Sequence, residues 1–343
     1  MTRTPVVVTC AALLVGAVAY GVYWHHVAGE LEAGIADWAT QQRAAGSDIA
    51  FESDPISGFP VAFRTEFRAV ALTTHSADGA LSVAGERLRA EMRPWNLHLI
   101  HVASDQAVTA TLMDGGSQQQ LLLRLGKGTL DIALHGSGQL KTITLAAAGA
   151  DAETPQGVLT VETVLASIEL PAVAPADYHQ PQLGFDLALG ALRLPPGQRV
   201  VTEGVIERAA ATGAVMGPVP YATSLPDALA GWARRGGILE LTSFAFAQAP
   251  LGLTGAGTIS LDEDLQPVGA LTIQAQGLTD TITLLERDGM IDAQAAKTAG
   301  MMAKGLAKPD EAGHQVVSIS LSLQQGYLWL GPVKLARLPA LRW

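Results

Sequence analysis

The chain has 343 residues, with 22 Lys or Arg and 32 Asp or Glu, so its formal net charge is −10. Charged residues make up only 16% of the sequence and apolar residues 48%, which excludes an intrinsically disordered protein. The acidic balance argues against nucleic acid as a partner, and the single cysteine excludes a disulfide scaffold.

The N-terminal segment, residues 1–24, is predicted to be a membrane anchor. No charged side chain occurs from Thr4 to Gly29, and the 18 residues from Val6 to Tyr23 are almost all apolar. As a helix they would be about 27 Å long, which matches the hydrocarbon thickness of a bilayer. The predicted anchor positions, the last two of them aromatic residues suited to the headgroup layer, are Val6, Leu13, Leu14, Val18, Tyr23 and Trp24.

The flanking charges predict the orientation of this anchor. Arg3 precedes the apolar stretch and Glu30 follows it, so the positive-inside rule places everything after Tyr23 on the outer side of the membrane. The triplet ending in Ala19 also fits the cleavage site of a signal peptide. The alternative is therefore cleavage after Ala19 and a soluble exported protein. Both alternatives export the bulk of the chain.

Residues 25–47 are predicted to form an amphipathic linker helix. Apolar side chains recur every three or four residues at Val27, Leu31, Ile35 and Trp38, and Gly46 is a helix stop signal. This helix would lead from the membrane surface into the folded domain.

Residues 48–343 are predicted to form one β-rich domain. Apolar and polar residues alternate along many short segments that Gly, Pro, Asp and Asn separate, which is typical of half-buried antiparallel strands. About 12 to 15 strands with hairpin-length connections indicate a mainly β (α+β) fold with a large antiparallel, coiled or arch-like sheet. The clearest strands are 63–72, 88–93, 130–134, 140–145, 158–170, 183–189, 238–246, 255–261, 269–276 and 316–323.

Two helices are predicted within this domain. Ser224 can cap a helix over 225–235, in which Pro226 occupies the first turn. A longer helix is predicted over 280–306, although Gly289 and Gly300 weaken it.

The sequence contains no motif that predicts catalysis, a cofactor or a metal. His98 and His101 fit no zinc pattern, and the acidic run 262–264 lacks the spaced oxygen ligands of a calcium loop. The stretch 135–138 (His-Gly-Ser-Gly) differs from the nucleophile elbow of hydrolases and reads as a turn. We therefore predict no catalytic, cofactor-binding or metal-binding residues.

Several turn motifs along the chain together resemble a known family. Their positions are Gly58, Phe59, Pro60, Arg93, Pro94, Asn96, Gly326, Gly331 and Pro332. The chain is similar to the membrane-anchored family called domain of unknown function 2125, which implies an inner-membrane anchor and a periplasmic location for the rest. A looser similarity of 237–241, 255–262 and 267–271 to AsmA-like envelope proteins implies an extended sheet with an apolar groove and a role in lipid movement or envelope assembly.

Three functional hypotheses follow. The first is a noncatalytic, membrane-anchored periplasmic protein that binds or guides lipid or another apolar envelope component. The second is a scaffold for envelope proteins, with exposed strand edges or the helix at 280–306 as the contact. The third is a hydrolase whose side chains converge only in the folded chain.

Overall fold

The computed structural model describes residues 3–76, 79–114, 120–201, 204–222, 224–309, 313, 315–330, 333–338 and 341. In the first helix, side chains are described from Leu13 onwards. Val6 therefore contributes only its backbone, and the motif residues Gly331 and Pro332 lie outside the described residues.

The described residues form four helices and seventeen strands. The helices are α1 (Arg3–Ala44), α2 (Leu225–Arg234), α3 (Leu278–Arg287) and α4 (Ala293–Leu306). The strands are β1 (Asp48–Ser53), β2 (Phe63–Ser76), β3 (Gly79–Arg93), β4 (Asn96–Ser104), β5 (Val108–Asp114), β6 (Gln120–Leu134), β7 (Leu140–Thr154), β8 (Gly157–Glu169), β9 (Pro181–Arg193), β10 (Val205–Met216), β11 (Ile238–Gln248), β12 (Leu251–Leu261), β13 (Pro267–Gln276), β14 (Ala307–Pro309), β15 (Gln315–Gln324), β16 (Tyr327–Leu330) and β17 (Val333–Arg337).

All seventeen strands belong to one sheet, and their pairing is antiparallel. From β6 to β13 each strand pairs with the next strand in the sequence. Nearer the N-terminus, β3 pairs with both β4 and β5, and both of these pair with β6. The predicted mainly β fold with a large antiparallel sheet is thus confirmed.

The N-terminal helix is continuous through both segments that the sequence divides into anchor and linker. α1 has 42 residues and no break near residues 24 and 25. It ends where predicted, because Gly46 adopts a left-handed conformation with φ of 91°. Within the part of the chain that the structure describes, no helix combines the length and hydropathy needed to cross a membrane.

The other helices differ in how closely they match the prediction. α2 is confirmed: the Ser224 hydroxyl accepts a hydrogen bond from the Asp227 backbone N–H. The single helix over 280–306 is wrong, because α3 and α4 are separated at residues 288–292. Gly289 has φ of 70° there, and Asp292 caps α4 through the N–H of Ala295.

Candidate functional site

A single line of apolar residues crosses the sheet from β2 to β16. Residues that stand directly opposite each other in neighbouring strands project from the same face, so the strand register defines this line. We call it the apolar row. It spans roughly 58 Å along the sheet, at about 4.8 Å per strand. Its members, in order across the sheet, are Phe63, Met92, Ile100, Ile132, Ile143, Ile168, Phe185, Gly213, Leu241, Gly257, Leu271, Leu321 and Leu330.

The opposite face of the same strands is polar. The neighbouring register positions form a second line across nine strands, all with polar or charged side chains. Each residue of this line is adjacent in sequence to a member of the apolar row, or close to one where β11 bulges, so the sheet is two-faced across these nine strands. Its members are Arg64, Glu91, His101, Asp131, Thr144, Ser167, Asp186, Thr212 and Ser243.

The two glycines in the apolar row leave room for larger neighbours. A Cβ at Gly213 would lie 3.0 Å from the Phe185 ring and 2.1 Å from the carbonyl oxygen of Glu240. A Cβ at Gly257 would lie 2.7 Å from a methyl group of Leu271. The side chains of Phe185 and Leu271 therefore cover these glycines, and the row stays apolar.

Three parts of the apolar face are covered by protein. Near the first strands, Trp24 and Ala28 of α1 pack on Phe63. In the middle, Ala147 of β7 and Val164 of β8 lie on the side of the apolar row and are buried in a cluster of sheet residues, without any helix. Near the last strands, α3 and α4 pack on β15 through Val317.

Other parts of the same face are exposed to solvent. Ile168 is 41% exposed, and Leu187 in the next strand is also exposed. At the opposite ends of the strands, a separate line of leucines crosses β3, β5 and β6. Its members are Leu81, Leu112 and Leu121, which stand opposite one another and are all exposed. Large aliphatic side chains on a sheet face that water reaches are a feature of surfaces that receive an apolar partner.

The predicted motif residues meet the N-terminal helix at the start of the apolar row. Tyr20 donates a hydrogen bond to the carbonyl oxygen of Pro60, and Tyr23 donates one of 3.0 Å to that of Pro94. The Trp24 ring stacks on Phe63 with 5.0 Å between centroids. We call this contact of α1 with residues 57–63 and 92–97 the helix–sheet junction.

The structure corrects one expectation for the aromatic residues. The sequence places Trp24 in the lipid headgroup layer, but its side chain is only 4% exposed and lies between α1 and the sheet. Its edge also meets the Phe59 ring, with 5.6 Å between centroids. Leu13, Leu14 and Val18 are exposed, and Tyr23 is partly exposed.

Gly58 shapes the loop that reaches the helix. Its φ is 100°, and a Cβ there would lie 2.7 Å from the carbonyl oxygen of Ala62. The backbone of Ala62 donates a hydrogen bond to the carbonyl oxygen of Gly58, which closes the turn. A side chain at position 58 would therefore displace Phe59 and Pro60 from α1.

Charged residues border the junction on the polar face. The Arg64 guanidinium donates to Glu91 at 2.6 Å, and Arg93 contacts the same carboxylate at 2.9 Å. The hydrogen bond from Arg64 lowers the pKa of Glu91 below its usual range. Asn96 pairs with Arg93 in the tight β3–β4 connection, with Pro94 buried between them.

The remaining motif residue lies far along the sheet. Gly326 has φ of 71° in the turn between β15 and β16, and its carbonyl oxygen accepts a hydrogen bond from Leu338. Among the described residues, no group of three or more His, Cys, Asp or Glu side chains could hold a metal ion. The candidate site therefore consists of the apolar row and the helix–sheet junction. The period of two in the sequence predicts strands, but it does not show that the row and the junction meet.

These observations define a class of protein in which an N-terminal helix packs on one antiparallel sheet that has an apolar face and a polar face. The chain belongs to the bacterial family described as "Uncharacterized protein conserved in bacteria (DUF2125)", whose profile matches residues 24–339. The similarity to AsmA-like proteins receives no support from the comparisons. No curated protein and no solved structure matches the chain.

The first prediction concerns the turn at Gly58. We expect Gly58→Ala to lower the free energy of unfolding by about 1–3 kcal/mol, because alanine is strained at this φ and its Cβ meets Ala62. Chemical unfolding of the full chain in mild detergent measures the change. Gly136→Ala is the control, since a Cβ there meets nothing within 4 Å. Equal effects of the two substitutions would contradict this role of Gly58.

The second prediction concerns Trp24. Trp24→Ala should cost about 3–5 kcal/mol of unfolding free energy, because it leaves a cavity beside Phe63. The buried indole N–H of Trp24 has no hydrogen-bond partner among the described residues, so Trp24→Phe should cost far less. The same unfolding experiment measures both variants. Similar losses of unfolding free energy for Trp24→Phe and Trp24→Ala would contradict this expectation and show that the indole N–H is needed.

Proposed function

We propose that this protein is attached to the bacterial inner membrane by α1 and binds or guides acyl chains, or another apolar envelope component, on its periplasmic sheet. The observation that carries the proposal is the apolar row, which is continuous across the sheet and carries exposed aliphatic side chains such as Ile168. The proposed activity is binding, and it assigns no chemical step to any residue.

The surface of the first part of α1 supports the membrane attachment. Leu13, Leu14, Val15, Val18 and Val22 are 61–69% exposed. At 3.6 residues per turn these positions cover more than half of the helix circumference. An apolar helix surface of this width is stabilised by hydrocarbon and not by water. Cleavage after Ala19 is the alternative, and it would leave the protein soluble in the periplasm.

The exposed part of the apolar face supports the acyl-chain ligand. Burial of apolar surface is worth about 25 cal/mol per Å², so a chain that covers Ile168 and Leu187 would be held without any directional contact. The packed middle of the sheet, and the part of the sheet that α3 and α4 cover, limit the extent of the exposed apolar surface. A narrow apolar strip with polar residues behind it suits a flexible alkyl chain.

The third prediction tests this ligand. The full chain is reconstituted in vesicles that contain phosphatidylethanolamine with a diazirine in one acyl chain, then illuminated and digested. Mass spectrometry should find lipid adducts on β8 and β9. Ile168→Glu should lower these adducts at least about fivefold, because a buried carboxylate beside an alkyl chain is unfavourable.

Leu165→Glu is the matched control for this experiment. Leu165 lies on the same strand and is 54% exposed, but it projects from the polar face opposite Ala146 and Ala188. Its substitution should leave the adducts on β8 and β9 unchanged. Equal loss in both variants, or no adducts in the unmodified chain, would overturn the acyl-chain proposal.

A second candidate function, a scaffold for envelope proteins, rests on α4. Met301, Met302 and Leu306 are exposed, although the other side of this helix packs on α3 and β15. Exposed methionines on a packed helix fit a contact with another protein, since their flexible side chains adapt to varied surfaces.

The fourth prediction tests this candidate. A benzophenone amino acid at position 301 should form a discrete adduct with one envelope protein in intact cells, identified by mass spectrometry. The same group at position 298, where the exposed Thr298 hydroxyl bonds back to Gln294 on the helix, is the control. Adducts of equal pattern from both positions would argue against a specific contact.

A further inference from the structure

One end of the strands carries the helix–sheet junction and a series of long connections. The apolar row lies close to this end, because its members are one to three residues from the strand termini at Arg93, Leu134, Glu169 and Met216. We call it the near end of the sheet. Its connections include residues 57–62, 94–95, 170–180 and 217–237.

The near end presents large apolar side chains to solvent. Phe59 and Val61 are exposed in the first connection, and Trp95 is 70% exposed in the second. Further along the same end, Val173 is exposed and Tyr221 is fully exposed. Tyr and Trp have an apolar ring and a polar tip, a combination that favours the boundary between hydrocarbon and water.

The exposed rings stand beside the point where α1 meets the sheet. The carbonyl groups that hold Tyr20 and Tyr23 belong to Pro60 and Pro94, which are the sequence neighbours of Phe59 and Trp95. The exposed apolar stretch of α1 ends at Val22, one residue before Tyr23. The apolar surface of the helix therefore continues directly into that of the near end.

We propose that the near end of the sheet lies on the outer surface of the membrane, with Trp95 and Tyr221 in the lipid headgroup layer. This inference rests on the proposed anchoring by α1, and it adds a second, independent contact with the bilayer. Arg64 and Arg93 are half-exposed beside the junction and can reach lipid phosphates while they also contact Glu91.

This placement gives the apolar row a short connection to the bilayer. Strands rise about 3.3 Å per residue, so in these four strands the row would lie roughly 3–10 Å above the headgroup layer. An acyl chain would then reach Ile168 past the near end, without crossing the polar face of the sheet. The long axis of the row would run along the membrane surface.

The fifth prediction tests the placement with nitroxide labels on the full chain. Cys10→Ser removes the single native thiol, and Trp95→Cys, Tyr221→Cys and Gln106→Cys are then introduced one at a time. Gln106 is exposed in the β4–β5 turn, at the opposite end of the strands. In vesicles of phosphatidylethanolamine and phosphatidylglycerol, electron paramagnetic resonance compares relaxation by oxygen with relaxation by a water-soluble nickel chelate. Circular dichroism confirms that each variant is folded.

Oxygen should relax the labels at positions 95 and 221 more strongly than the nickel chelate does. The nickel chelate should relax the label at position 106 more strongly than oxygen does. A water-like signal at position 95 or at position 221 overturns the placement on the membrane. A carbonate wash of the same vesicles tests the anchor separately. If the protein resists the wash but its label at position 95 gives a water-like signal, the anchor stands and only the surface contact is contradicted. If the protein is washed away, the anchoring on which the inference rests is contradicted.

Discussion

The constraint on which this structure depends is the one-sidedness of its sheet. The apolar row has thirteen positions in register across one face, eleven with apolar side chains and two with glycine. Such a sheet must withdraw much of that face from water, since burial of apolar surface is the main favourable term in folding. This chain does so in three ways: α1 covers the first strands, the sheet packs against itself in the middle, and α3 with α4 covers the last strands. The apolar side chains that stay exposed are those that neither the helices nor the packed middle of the sheet covers.

Small residues decide how closely the middle of the sheet packs. Ala147 and Ala150 of β7 are buried beside Val161 and Val164 of β8. Larger side chains at the two alanines would overpack the apolar face, at a cost of about 1–3 kcal/mol each. A sheet built with leucine at every inward position could not bury its own face without help. The alanines therefore separate a packed middle from flanks where leucine and isoleucine remain accessible.

The sequence predicts the strands whose two faces differ in polarity and misses those whose faces are alike. β8 alternates clearly and was predicted almost to its ends, whereas β10 presents Ala209, Ala211 and Gly213 toward the apolar side and so lacks contrast. In β4, Leu99 occupies the polar side and is exposed, which obscures the period of two. The break between α3 and α4 depends on the conformation of Gly289, which sequence marks only as a weakness.

The junction shows why the site itself was only partly predictable. Gly58, Phe59 and Pro60 were recognised as a turn motif, but their contact with α1 joins residues about forty positions apart, which no local pattern encodes. Trp24 illustrates the consequence: an aromatic residue at the end of an apolar stretch has the same sequence signature whether it meets lipid or protein. Because Trp24 packs on Phe63, the first residue of the apolar row is fixed to the helix that we propose as the anchor. In the proposed arrangement, this stacked pair and the hydrogen bonds of Tyr20 and Tyr23 would together set the distance from the bilayer to the row.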